Sequence, residues 1–233
     1  MTANCKNSAF RMLFLIATPK LVNKGINLFK KCNIPVQYVF RAQGTATSEI
    51  MDTLGLCGEE KNILISMMPK PFADAMLVKL QKKLHLGMPG SGIAFTIAMS
   101  GGSKRAVRMV EALQAEGSQT FLGRYESEMI ENEYGLIVVI VDQGFSEEVM
   151  DAARPMGASG GTVFHSRRVG NEEAMKFWGI RVQQEREVVL ILAKKEDKRP
   201  IMQAIFEQCG MTSEAHGTVL SLPVDGIIGL DQE

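Results

Sequence analysis

Hydrophobic and polar positions follow two rhythms along this chain. Short, nearly unbroken apolar runs at Arg11 to Ala17, Val36 to Arg41, Asn62 to Met68 and Ile93 to Met99 have the length and residue types of strands. Between the first two, Leu21, Val22, Gly25, Ile26, Leu28, Phe29 and Cys32 recur at helical spacing, with Lys24, Lys30 and Lys31 mostly opposite. Thr18-Pro19 predicts the start of that helix, a cap residue followed by a proline suited to the first turn, and Asn33-Ile34-Pro35 predicts its end. Ala42 to Lys61 reads as a long connection in which Ser48 to Leu54 has room for a helical turn or two. Pro69 to Leu86 reads as a second helix, with Ala75, Met76, Leu77, Leu80 and Leu84 as its core face. The order is β-α-β-β-α-β.

The second half repeats that order. Strands are predicted at Leu136 to Val141, Thr162 to Ser166, Val188 to Ala193 and Thr218 to Leu222, with helices at Ser146 to Met156 and Asp197 to Gln208. Ser146 with Glu147 and Glu148 suits one helix start, and Pro200 falls in the first turn of the other. Val39-Phe40 and Val163-Phe164, Glu49 and Glu173, Met51 and Met175, and Gly55 and Gly179 all stand 124 positions apart, as do Ile16 and Ile140. A register held over that length points to an internal duplication, with a unit too long for a solenoid repeat.

The predicted fold is therefore α+β, two tandem ferredoxin-like (βαββαβ) domains, each a four-stranded antiparallel sheet with its helices on one face. Residues 11–102 form the first domain, 103–133 a linker with a helix from Lys104 to Glu116 capped by Ser103, and 134–233 the second. The face of each sheet away from its helices needs cover, from another copy in the chain or from a partner chain.

Composition narrows the function classes. At 233 residues, 45% hydrophobic and 22% charged, the chain carries enough apolar mass for two small cores. Its 26 basic and 26 acidic residues cancel, so the broad positive field of sequence-independent nucleic-acid binding is not expected. The apolar patch Met12 to Ala17 is too short to span a bilayer and lacks a signal-peptide pattern, which predicts a cytoplasmic protein. Cys5, Cys32, Cys57 and Cys209 form no CxxC pair, and His85, His165 and His216 have no metal-ligand spacing, so neither a disulfide framework nor a zinc site is expected. Cys32 and Cys209 fall near helix ends, where buried thiols serve as small hydrophobes.

The most informative stretch is Gly157-Ala-Ser-Gly-Gly-Thr-Val-Phe-His-Ser-Arg-Arg-Val-Gly170. Its glycines let the chain leave a helix, Thr162-Val163-Phe164 is strand-like, and His165, Arg167, Arg168 and Gly170 open a long loop. Those basic residues suit an anionic ligand or an acidic partner surface, and equally a solvated strand edge. Trp178, within the loop, suits an interface anchor or a core plug. Gly87-Met-Pro-Gly-Ser-Gly92 has the glycines of a phosphate cradle without the lysine, and serves equally as a tight turn. Ser100-Gly-Gly-Ser-Lys-Arg105 is a second glycine-rich helix start of that kind. No catalytic constellation is present, so an enzyme is not expected.

Met150-Asp-Ala-Ala-Arg-Pro-Met through Gly170, followed by Glu185-Arg-Glu-Val-Val-Leu-Ile-Leu192, resembles the PII nitrogen-regulatory family. The likeness covers most of the second half and reaches the first through the repeat. It implies a trimeric signal-transduction protein, here three chains with six domains. Such a protein binds ATP or ADP, and often 2-oxoglutarate, in clefts between domains, and acts on an enzyme or transporter through long loops. The loops would be Arg167 to Arg186 and Gln43 to Lys61. The ligand-binding positions implied are Gly44, Gly90, Gly92, His165, Arg167, Arg168, Gly170 and Gly217, with Trp178 toward the partner.

The departures from the family bear on the ligand. Its Gly-Asp-Gly-Lys turn corresponds here to Gly90-Ser91-Gly92-Ile93 and to His216-Gly217-Thr218, neither with a lysine, and no arginine pair follows the last strand. A triphosphate would lose several charge-assisted contacts, each worth about 1.5–3 kcal/mol. No tyrosine stands between Arg167 and Arg186, so uridylylation is not expected. Two alternatives stay open: a ferredoxin-like module for an amino-acid-type effector, and a small enzyme using His165 and Arg167.

Overall fold

The computed structural model describes residues 10–34, 37–45, 60–88, 91–99, 133–167 and 185–230, and the chain divides into two compact units. The architecture is mixed α+β, with four α-helices and antiparallel strands among the described residues.

Unit 1 contains β1 (Phe10–Ala17), α1 (Pro19–Lys31), the first half of β2 (Gln37–Gly44), β3 (Glu60–Pro69), α2 (Lys70–Leu84) and β4 (Ile93–Ala98). Its strands lie in the order β2-β3-β1-β4, with β1 antiparallel to both neighbours. Alternation along β1 sends Leu13, Leu15 and Ala17 to the helix side, where they meet Leu64, Met68 and Ala94, Val22 and Phe29 of α1, and Met76 and Leu80 of α2. Each leucine, valine, methionine or phenylalanine among them contributes about 1.5–3 kcal/mol on full burial, which outweighs the modest propensity of the lysine-rich α1. On the other face Phe14 stacks on Phe95 with ring centroids 5.0 Å apart. The Thr18 hydroxyl makes no capping bond. Its carbonyl accepts the Val22 N–H at 3.0 Å, and Pro19 alone supplies the expected start signal.

Unit 1 is completed from the far end of the chain. Gly226–Ile228, the ninth strand β9, pairs antiparallel with the outer edge of β4 and places Ile228 in the core. Asp225 forms an ion pair of 2.5 Å with Arg11, whose side chain is 1% exposed. The sequence reading gave residues 134–233 to one domain, whereas those from Pro223 onward group with unit 1. A three-residue Gly-Ile-Ile strand is too short to show a period, and only the edge it fills identifies it.

Unit 2 contains β5 (Tyr134–Asp142), α3 (Ser146–Ala153), a 3₁₀ turn (Arg154–Met156), β6 (Thr162–Arg167), β7 (Glu185–Lys194), α4 (Lys198–Cys209) and β8 (Thr218–Pro223). Its order is β8-β5-β7-β6. Val139, Val141, Val189 and Ile191 face Val149 and Met150 of α3 and Ile201, Ile205 and Cys209 of α4. Residues 41–45 group with this unit, and Gln43 and Gly44 at the end of β2 pair with Val163 and Thr162. Thr45 continues the contact: its N–H donates to the Gly161 carbonyl at 2.9 Å, and its Oγ accepts the Gly161 N–H at 2.6 Å. β7 begins three residues before its apolar run does, because Glu185, Arg186 and Glu187 pair with Arg167, Ser166 and His165 of β6. The expected helices within Ser48 to Leu54 and Lys104 to Glu116 lie outside the described residues.

Candidate functional site

Antiparallel order brings the end of β5, the end of β6, the start of β7 and the turn before β8 to one end of unit 2. The 17-residue segment 168–184 leaves and returns at the same end. Charged side chains collect there. Asp142, the last residue of β5, is 5% exposed at its side chain and lies 2.5 Å from Arg186 Nη1, itself 2% exposed. The two are direct partners in the β5–β7 ladder. The second carboxylate oxygen of Asp142 meets His216 Nδ1 at 3.1 Å, and Arg186 Nη1 also donates to the His216 carbonyl at 3.2 Å. The Asp142 N–H donates to the Ala215 carbonyl at 2.9 Å.

His216 has φ +44° and a side chain 27% exposed, so one edge of its ring reaches solvent while the other is held by a buried carboxylate. Such a carboxylate fixes ring orientation and favours a proton on Nδ1. A buried ion pair costs several kcal/mol of desolvation per ion, which geometry and extra hydrogen bonds must offset. Both are supplied here by backbone groups of the turn before β8. The cluster therefore ties that turn to the ends of β5 and β7.

One residue along β7, the Glu187 carboxylate accepts the Ser146 N–H at 3.0 Å and caps α3 across 41 positions of sequence. The positive end of that helix is thus neutralised from within the chain. His165, opposite Glu187 in the ladder, is exposed, and Arg167 follows two residues on, opposite Glu185. Positions 124 earlier than Asp142, Arg186, Glu187 and His216 hold Thr18, Asn62, Ile63 and Gly92, so the polar cluster belongs to unit 2 alone.

The structure separates some residues that the sequence reading grouped. Gly44 pairs with Thr162 at the start of β6, the opposite end of that strand from Arg167. Gly217 lies beside His216, but its N–H donates to the Gly210 carbonyl at 3.2 Å, and an added Cβ would strike the Cys209 carbonyl. Close backbone approach at the end of α4 accounts for this glycine. Gly92, in unit 1, has φ +102° and lies against the Ile16 carbonyl, while Ser91 bonds Met88 through both N–H and hydroxyl. Gly90, Arg168, Gly170 and Trp178 lie outside the described residues.

Asp142, Arg186 and Glu187 are not among the site residues that the sequence pointed to. Each stood in what looked like the frayed end of an apolar run, and the one visible signal was an Arg flanked by two Glu just before Val188-Val-Leu-Ile-Leu192. Of the two thiols in the described region, Cys209 is buried and raised in pKa, by desolvation and then by Glu148. Cys32 is half-buried, with Lys79 Nζ 3.3 Å from its sulfur. No group of three or more metal-ligating side chains occurs among the described residues, and none of their helices is long and apolar enough to cross a membrane.

No family model and no curated protein matches the chain. Solved structures do. Arabidopsis thaliana PII bound to citrate is 17% identical with a TM-score of 0.32, the match covering 44% of this chain and 95% of that one. CPII bound to ADP, AMP and acetate, from Thiomonas intermedia K12, is 12% identical with a TM-score of 0.29, over 40% of this chain and 88% of that one. A microcompartment protein from Desulfitobacterium hafniense DCB is 10% identical with a TM-score of 0.27, over 93% and 95%. The chain is thus similar at low identity to PII proteins over less than half its length, and to the microcompartment protein over most of it.

Proposed function

We propose that this protein is an effector-responsive regulator of the PII-like kind, built from two copies of one βαββαβ module and carrying out no bond-making step. The observation that carries the reading is the charged end of unit 2. Three strands and the turn before β8 deliver Asp142, Arg186, Glu187, His216 and the His165–Arg167 strand end to the place where segment 168–184 leaves and re-enters the sheet. Long loops on a rigid scaffold are where binding concentrates. A small anion such as a nucleotide or a dicarboxylate would meet the exposed His165 at the end of β6, on the face of the sheet opposite the Asp142–Arg186–His216 cluster. Its arrival would be felt by segment 168–184 and, across β7, by the Asp142–Arg186 pair and the turn before β8. The loop then engages an enzyme or transporter in the cytoplasm, and three chains form the assembly.

Calorimetry with ATP, ADP, 2-oxoglutarate and citrate tests the effector. We expect one anion to bind, and His165→Ala with Arg167→Ala to weaken it at least about tenfold, the 1.4 kcal/mol of one charge-assisted contact. No heat with any of the four would remove the effector from the proposal. Light scattering tests the assembly, which a monomer would exclude.

One observation favours a second reading. An imidazole held at Nδ1 by a buried carboxylate is also how a general base is oriented. In that case His216→Ala abolishes a turnover. In the regulatory reading it alters binding alone.

A further inference from the structure

We propose that Cys32 and Lys79 are a peroxide-sensitive cross-linking pair, whose oxidation joins Sγ to Nζ and braces the end of α1 against α2. Both residues belong to unit 1, and both are half-buried. Lys79 Nζ donates a hydrogen bond to Cys32 Sγ at 3.3 Å, across 47 positions of sequence. Cys32 ends α1, its N–H donating to the Leu28 and Phe29 carbonyls. Lys79 lies in α2 between the buried Met76 and Leu80. Phe29, Met76 and Leu80 belong to one core, so packing holds the thiol and the amine together before any oxidant arrives. Proximity of that kind turns a slow encounter into a fast intramolecular step.

The other thiol among the described residues makes the contrast. Cys209 is fully buried, and burial and then Glu148 push its pKa up, which suits an inert packing residue. Cys32 has an amine beside it where Cys209 has a carboxylate nearby, and solvent reaches it. Positions 124 after Cys32 and Lys79 hold Met156 and Gln203, so unit 2 has no such pair there.

The oxidant is hydrogen peroxide. Sulfur bonds one peroxide oxygen as the O–O bond breaks, and the leaving hydroxide takes the thiol proton as water. The sulfenic acid so formed stands within reach of Lys79. The Nζ lone pair of the neutral amine attacks sulfur, the S–O bond breaks, and the hydroxyl leaves with one amine proton as a second water. Sulfur is oxidised by two electrons and the peroxide is reduced by two. Added thiol cleaves the S–N bond and restores the amine.

The test treats the full chain with a small excess of hydrogen peroxide at mildly alkaline pH and maps its peptides by mass. The expected product joins the Cys32 and Lys79 peptides, lighter by two hydrogens than their sum, and dithiothreitol separates them. Lys79→Arg should lose the joined product and leave a Cys32 sulfenic acid that dimedone traps at least about tenfold more than in the parent chain. Cys32→Ser should lose both signals. Lys79 is half-buried and arginine keeps its charge, so the far-UV spectrum of Lys79→Arg should be unchanged. A Cys32 disulfide, a bridge that retains an oxygen, or a Cys32 sulfinic acid with Lys79 unjoined overturns the proposal. So does equal trapping by dimedone in the parent and Lys79→Arg chains, or oxidation of Cys209 as fast as Cys32.

Discussion

Asp142 shows how much one side chain decides in this molecule. Its carboxylate faces Arg186 and His216 at once, with both members of the ion pair almost wholly buried. Removing one member leaves the other charge buried, so Arg186→Met should cost about 3–5 kcal/mol. Asp142→Leu combined with Arg186→Met should recover most of that loss, and urea unfolding of the single and double variants measures both. Gly87 and Gly92, two positive-φ glycines described in the stretch before β4, offer a second contrast. Gly87 has open space where a Cβ would go, while Gly92 lies against Ile16 and Ala17. Gly87→Ala should cost roughly 1–2 kcal/mol of backbone strain, and Gly92→Ala about 1–3 kcal/mol more for the forced overlap. Cys209 gives a pH dependence. Burial, then Glu148, raises its pKa above the ordinary 9.0, so its contribution is full below that value and is lost as pH climbs toward the folded-state pKa. Denaturation followed upward from neutral pH should show an alkaline decline that is smaller in Cys209→Ala.

At the scale of elements, helix α3 depends on a strand for its start. No side chain near it in sequence caps it, and the Glu187 carboxylate from β7 takes the Ser146 N–H. Glu187→Ala should cost about 1–2 kcal/mol, in the range of a lost cap. Hydrogen exchange should localise the loss to the first turn of α3, whereas a loss spread evenly through unit 2 would mean the carboxylate acts in some other way. The Ser146-Glu147-Glu148 pattern announced the helix and its polarity, and α3 begins where that pattern placed it. The residue that completes its N-terminus was invisible, because nothing local couples position 146 to position 187. β7 makes the same point. Its apolar run was plain from Val188 onward, while Glu185 to Glu187 read as loop until ladder partners in β6 admitted them.

At the scale of the whole molecule, each unit depends on chain from outside its main span. Deleting residues 223–233 should remove β9, expose the core around Ile228 and leave Arg11 without Asp225. Amides of β1 and β4 should then exchange faster, with those of β5 and β7 unchanged. Loss of protection in both units together would show that the segment does more than complete unit 1. The sequence by itself determined the types and order of the described elements from β1 to β8, since strand and helix periods are local and the cores of both units are built from those periodic positions. It also placed His165 near the end of the strand that is β6. Tertiary structure alone decided which chain end closes β4, which carboxylate caps α3, and that Asp142, Arg186 and His216 meet. Those are pairings across 30 to 134 positions, fixed by strand register and not by any pattern along the chain.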